Sequence, residues 1–305
     1  MQRLDSSTVT ALAYSTTMTS GRQRRHSRSY RLRRLLGTSL VYLLLVFFAV
    51  MLGFPLFWAI STSVKPLGQV AAVPPVWWPA HPLWGNFVEA WNRVPFLIFT
   101  RNTAFITITT LAGNVLASSL TAFSFSRLRY PGRNVMFGLV IATMLIPGFV
   151  TLVPTFILFH RLHWVGTFLP LIVPAFFGGS SFYVFLLRQF FLTLPLELDE
   201  AARIDGASYP LIYAKIIVPL AKPALTAVAL FEFIGHWNDY LGPLIYLNSM
   251  DHYTLAIGLA FFQGRFYTYQ NLMMAASLIV LAPCIIVFLL GQKYFIQGIT
   301  FTGGK

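Results

Sequence analysis

Acidic residues are scarce in this chain: nine Asp and Glu stand against 22 Lys and Arg, and charged residues make up 10% of the 305 positions. A soluble domain carries roughly 25% charged residues, so a water-facing globule is excluded. Cysteine is scarcer still. Cys284 is the one example, and it lies inside an apolar run, which rules out a disulfide framework and a thiolate metal site. His160 and His163 are three apart, but no carboxylate or cysteine neighbours them in sequence, so a zinc site is not expected there. No Ser-His-Asp motif appears and no glycine-rich nucleotide loop. The tail "GITFTGGK" has the wrong glycine spacing for a phosphate loop and no Ser or Thr after Lys305. The chain is therefore expected not to be an enzyme and to hold no cofactor of its own.

What it has in abundance is apolar length, at 56% hydrophobic residues. Runs of about 20 apolar residues suit a helix crossing a ~30 Å hydrocarbon core. Six such runs are present, at 35–60, 102–125, 135–159, 168–191, 224–247 and 272–295. The expected fold is an all-α membrane protein with six transmembrane helices, because an open sheet edge cannot face lipid. The first run is too long for a signal-peptide core and lacks a cleavage pattern, so it reads as an anchor despite Arg33 and Arg34 before it. Residues 1–34 are rich in Ser, Thr and Arg without apolar periodicity, and read as a disordered basic segment. Met18 is a possible alternative start.

A formal charge of +13 could suggest nucleic acid, but the positions of the cations argue for a membrane flank instead. Arg22, Arg24, Arg25, Arg28, Arg31, Arg33 and Arg34 cluster just before the first span. Alternating inward and outward from there puts 17 Lys and Arg inside and five outside. That asymmetry predicts cytoplasmic N- and C-termini. The outer loop at 65–96 carries Trp77, Trp78, Trp84 and Trp91, which suit either the lipid interface or an external partner. The second span is rich in Thr, Ser, Gly and Asn, with Thr103, Thr107 and Thr110 at helical spacing. Such a helix belongs inside a bundle, as packing or as pore lining. Pro147 and Pro154 predict kinks in the third span.

Two sets of ionisable residues interrupt the apolar pattern. In span five, Glu232, His236 and Asp239 are spaced i, i+4, i+7, within about 60° on one helix face. With Asn238 they form either a solute path or a structural Glu232–His236 bond, since ionisable groups at membrane depth face a cavity or a partner. The second set is "LPLELDEAARIDGASYPLIYAKIIVPLAKPAL" at 194–225, which holds four of the nine carboxylates. Pro195 suits the first turn of a helix whose N-terminus favours Glu197, Asp199 and Glu200. Gly206 supplies a left-handed stop, and Pro210 opens a second short helix that Pro219 and Pro223 close. The product is a helix–turn–helix elbow (193–223) with Ala201 and Ala202 as a smooth side, shaped to enter a cleft on a soluble partner.

The same segment carries a resemblance. Glu200-Ala201-Ala202, three residues, Gly206, nine residues and Ile216-x-Val218-Pro219 resembles the EAA loop of ABC importer permeases, with Val218 where that pattern has Leu. "HWNDYLGPLIYL", "YTLAIGL", "MAASLIVLAPCIIVF" and "QKYFIQGI" are similar to the carbohydrate-uptake branch, the type of the maltose and glycerol-3-phosphate second permease subunit, over about 35–300. The resemblance implies a permease domain, a pseudo-twofold heterodimer with a second permease subunit, and two ATPase subunits that hold ATP and Mg. It also implies an extracytoplasmic solute-binding protein, the cell membrane of a prokaryote, and transport of a sugar, polyol or glycerophosphate by alternating access. Glu200, Ala201, Ala202, Asp205 and Gly206 would couple to the ATPase. A stand-alone secondary transporter would not need such an elbow.

Overall fold

The computed structural model describes residues 6–264 and 268–300, with side chains over 35–264 and 268–293. The basic segment 1–34, for which disorder was expected, lies outside the residues whose side chains are described, and the tail 301–305 lies outside the described residues. The backbone of the first helix, α1, runs Ser6–Ser63 with Pro55 inside it. Residues 1–58 form one compact unit and 59–305 a second. In the first unit, residues 35–58 form an apolar rod on which Phe47 and Phe48 meet edge to face.

The second unit is a helical bundle; among the described residues the only β feature is one bridge between Gln263 and Thr268. After α2 (Gly85–Arg93), helix α3 (Phe96–Arg127) begins directly beyond Pro95, which presets its entry. It is the central helix. Asn102, Thr103, Thr107, Thr110, Asn114, Ser118 and Ser119 are all buried on it. These small polar residues let neighbouring helices approach closely, so packing accounts for the hydroxyl stripe. Thr110 and Ser126 turn their hydroxyls back onto carbonyls of their own helix.

The third expected span departs from the sequence reading. It is two helices, α4 (Arg133–Thr143) and α5 (Gly148–Arg161), set at 97°. Pro147 lies between them with an extended backbone and does not merely kink a continuous helix. Pro154, by contrast, stays inside α5. Span four is interrupted as well: α6 (Leu169–Ile172) tightens into a 3₁₀ turn at Val173–Phe176, and α7 (Ser181–Thr193) starts after Gly178 and Gly179. At Gly179, φ is +71 and a Cβ would stand 2.1 Å from Ser118 Oγ and 2.6 Å from Ser118 N. Only glycine permits that approach. A hydroxyl pair, Thr143 Oγ1 with Ser181 Oγ at 2.7 Å, joins the two breaks.

Next come the elbow helices α8 (Glu197–Ile204) and α9 (Tyr209–Leu220), then α10 (Lys222–Trp237), bent 79° from α9. Span five was expected to continue to 247. Its helix stops at Trp237, and α11 (Leu241–Tyr246) restarts after a break at 238–240. Helix α12 (Leu255–Ala260) and the long α13 (Gln270–Thr300) complete the unit. Among the described residues four helices are long and apolar enough to cross a membrane, or six if each bent pair counts as one span. Two apolar clusters hold the bundle. One packs Phe96, Phe99, Trp237, Leu272 and Val280. The other, at the elbow end, packs Phe123, Leu187, Phe191, Ile212, Ile217 and Val228.

Candidate functional site

The elbow is built from its two turns. Glu197, Asp199 and Glu200 occupy the first turn of α8, where the helix dipole favours anions. At its other end Gly206 N–H bonds Arg203 O at 3.0 Å and Ala207 N–H bonds Ala202 O at 2.9 Å. That pair of bonds, with Gly206 at φ +81, is a Schellman stop. The apolar contact that accompanies such stops is present too, because Ala202 and Ala207 both pack on the elbow-end cluster. The two alanines of the motif therefore do different work, since adjacent residues point 100° apart on a helix. Ala202 faces the bundle and Ala201 faces outward. They do not form one smooth side as expected. The protruding face also carries Ile204, 86% exposed, beside the exposed Glu200, Asp205 and Gly206. A groove of about 460 Å³ runs along Ala202, Asp205, Gly206, Ala207, Leu211 and Lys215.

Beneath the elbow lies an ion pair that sequence reasoning missed. Arg127, the last residue of α3, directs Nη2 to Phe191 O at 2.9 Å and to Leu194 O at 3.0 Å. Its Nε stands 3.5 Å from Asp199 Oδ2, with the side chains 1% and 14% exposed. Burial pushes the Asp199 carboxyl above its usual range, Arg127 pulls it back, and neighbouring Glu200 pushes it up again. The available signal was an arginine ending a long apolar run.

The span-five residues are only partly brought together. Glu232, 3% exposed, accepts from Asn114 Nδ2 on α3 and meets His236 Nε2 at 2.8 Å. The Tyr183 hydroxyl engages it from α7. Asp239 is not on this face. The helix ends at Trp237, and Asp239 Oδ1 instead accepts from Gly242 N at 3.2 Å, starting α11. Asn238 Nδ2 bonds Ile234 O at 2.8 Å and reaches Cys284 Sγ at 3.5 Å. Among the described residues no group of three His, Cys, Asp or Glu could hold a metal.

Residues 113–301, which contain the elbow and both clusters of polar residues below it, match the family "Binding-protein-dependent transport system inner membrane component". The chain belongs to that family. It is 32% identical over 262 residues to the arabinooligosaccharides transport system permease protein AraQ of Halalkalibacterium halodurans, covering 85% of this chain and 93% of that one. It is 33% identical over 254 residues to the sn-glycerol-3-phosphate transport system permease protein UgpE of Pectobacterium atrosepticum, covering 81% and 90%. Its fold is that of a chain in the crystal structure of a bacterial ABC transporter involved in the import of the acidic polysaccharide alginate, at a TM-score of 0.75. That match covers 86% of this chain and 97% of the other, at 24% identity.

As a member of that family, this chain is a membrane component of a transport system. Its polar interior then has a simple physical reading. Several of its buried polar groups find a partner on another segment, as lipid would offer none. Asn102 Nδ2 bonds the carbonyls of Asp251 and Tyr253 at 2.7 and 3.0 Å. Thr103 Oγ1 accepts from Leu255 N at 2.9 Å, and Trp237 Nε1 donates to Val280 O at 2.9 Å. Asn114 and Tyr183 were missed as partners of Glu232, because only the fold brings α3 and α7 to α10.

Proposed function

We propose that this permease forms one half of the transmembrane pathway of an ATP-driven importer, and that its elbow seats in a groove of a cytoplasmic ATPase subunit. The observation that carries this reading is the geometry of α8. It protrudes from the bundle, exposes Ala201 and the apolar Ile204 beside Glu200 and Asp205, and is stopped by Gly206 at φ +81. A short protruding helix with the small Ala201 and the apolar Ile204 on its outer face fits the helix-in-groove mode of docking. Counting each bent pair as one span gives six spans. Seventeen cations on one set of loops against five on the other support both termini being cytoplasmic, in the cell membrane of a prokaryote. The remaining partners in this reading are a second permease subunit related by a pseudo-twofold axis, a second ATPase and an external solute-binding protein. ATP and Mg belong to the ATPases.

The solute in this reading is a sugar or a related polyol or glycerophosphate. Similarity to permeases named for arabinooligosaccharides and glycerol-3-phosphate supports that class. The path runs past the break after Trp237, where His236, Asn238 and Asp239 are accessible and Glu232 braces His236 from behind.

Co-purification tests the docking. Wild-type complex should retain the ATPase, while Gly206→Val, which re-aims α8, and Glu200→Lys, which reverses a charge at the contact, should lose it or lose solute-stimulated hydrolysis. Retention of wild-type coupling by both variants would reduce the elbow to a linker. A thermal-shift screen of the cognate binding protein against sugars, polyols and glycerophosphodiesters tests the solute class.

A further inference from the structure

The elbow can transmit force only if its axis is held relative to the spans, and one charged side chain links α8 to two other segments. Three chain segments converge on Arg127: its own helix α3, the end of α7 through the carbonyls of Phe191 and Leu194, and α8 through Asp199. The guanidinium is rigid and planar, so the two bonds from its Nη2 to the end of α7, with its attachment to α3, set the edge that Nε turns toward Asp199. A lysine ammonium has no such plane. The contact with Asp199, at 3.5 Å, joins a buried guanidinium to a half-buried carboxylate and is not a surface bridge. A buried pair of this kind adds little net stability, because desolvation offsets attraction. Removing one partner is a different matter, since it leaves an uncompensated charge inside the protein. The rest of the elbow is held chiefly through α9, by the fully buried Ile212 and Ile217, by Tyr213 edge-on to Phe123, and by Ser119 Oγ with Tyr213 OH at 2.7 Å. The ion pair is the charged link from the spans to α8.

We infer that Arg127 is a positioning residue for coupling. It clamps the elbow to α3 and α7 at one angle, so that displacement of α8 moves both spans together. The inference rests on the docking reading above. Arg127 itself touches neither solute nor ATPase in this scheme. It acts through Asp199.

The test uses the full complex, assembled with its ATPases and sister subunit. Spin labels at Ser208 on the elbow and Phe182 on α7 report their separation, with and without ATP–vanadate. Wild type should give one narrow distance distribution in both states, because elbow and span move as a body. In Asp199→Asn, and in Arg127→Lys, the distribution should widen about twofold and shift on trapping, as a clamp with one partner removed allows. Asp199→Glu restores the carboxylate and should recover the narrow distribution. A distribution as narrow as wild type in Asp199→Asn overturns the inference. So does reduced membrane abundance with a wild-type distribution in the surviving complex, which is the mark of a residue that serves only folding. If wild-type complex fails to retain the ATPase, the docking reading has failed; if the ATPase stays bound and the distances do not respond, only the clamp has.

Discussion

Gly206 and Glu232 show how much a single residue decides here, for opposite reasons. Gly206 has open space around its missing Cβ and a φ of +81. A substitution there costs backbone strain alone. Gly206→Ala should destabilise the elbow turn by about 1 kcal/mol, and Gly206→Asn by less, since Asn tolerates the left-handed region. Trypsin cleavage at the exposed Arg203 measures this directly: faster in Ala than in Asn, and near wild type in Asn. Equal rates in all three would mean that the turn does not hold the elbow. At Glu232 the constraint is chemical. Its carboxylate accepts from Asn114 and meets His236, and both of those donors need an acceptor. Glu232→Ala should lower stability by about 1–3 kcal/mol through their loss of a partner, read as earlier thermal unfolding in detergent. Glu232→Gln keeps an acceptor oxygen and should assemble normally while altering uptake. Unchanged uptake kinetics in the Gln variant would remove Glu232 from the path and leave it as a structural brace.

At the scale of elements, the interrupted helices matter more than the continuous ones. Apolar length alone predicts a continuous span at 135–159, and Pro147 marks its irregular point. Hydropathy is blind to the 97° bend, because a broken pair and a kinked helix have the same composition. Span four shows the physical cause of a break. Gly178 and Gly179 both have positive φ, yet only at Gly179 would an added Cβ meet another helix, with Ser118 N 2.6 Å away. Gly178→Ala should therefore cost about 1 kcal/mol, whereas Gly179→Ala must push span four off the backbone of α3 and should cost about 3 kcal/mol or more. Thermal unfolding of the two variants compared side by side gives the answer. Similar losses would show that the contact between span four and α3 yields easily. Beyond stability, close seating at this break, together with the Thr143–Ser181 hydroxyl pair, ties the interruptions of spans three and four to each other.

For the molecule as a whole, orientation in the membrane is the property that the charge pattern foretells. A cysteine introduced by Ser208→Cys should react with a membrane-impermeant maleimide only from the cytoplasmic side, and one introduced by Trp84→Cys only from outside. Cys284 is buried and should stay silent. Labelling of the Ser208→Cys protein in intact cells would overturn the arrangement.

Composition and the length of the apolar runs determined that this is a helical membrane protein, since 56% apolar residues gathered in runs of about 20 suit helical spans, where a barrel strand needs only about ten. Sequence also determined the elbow, because its Pro–Gly–Pro punctuation and the anionic first turn act over neighbouring residues and need no distant partner. Whatever depends on two segments far apart in the chain was decided only by tertiary structure. Asn114 meets Glu232 across 118 positions, and Arg127 reaches Asp199 from the end of another helix. Ala202 turns inward while Ala201 turns out, because a particular cluster lies behind α8. Asp239 leaves the stripe because α10 ends two residues before it. Local rules carry φ, capping and apolar period along one segment; which side chains complete a buried charge is settled by packing, where every neighbour must be in place at once.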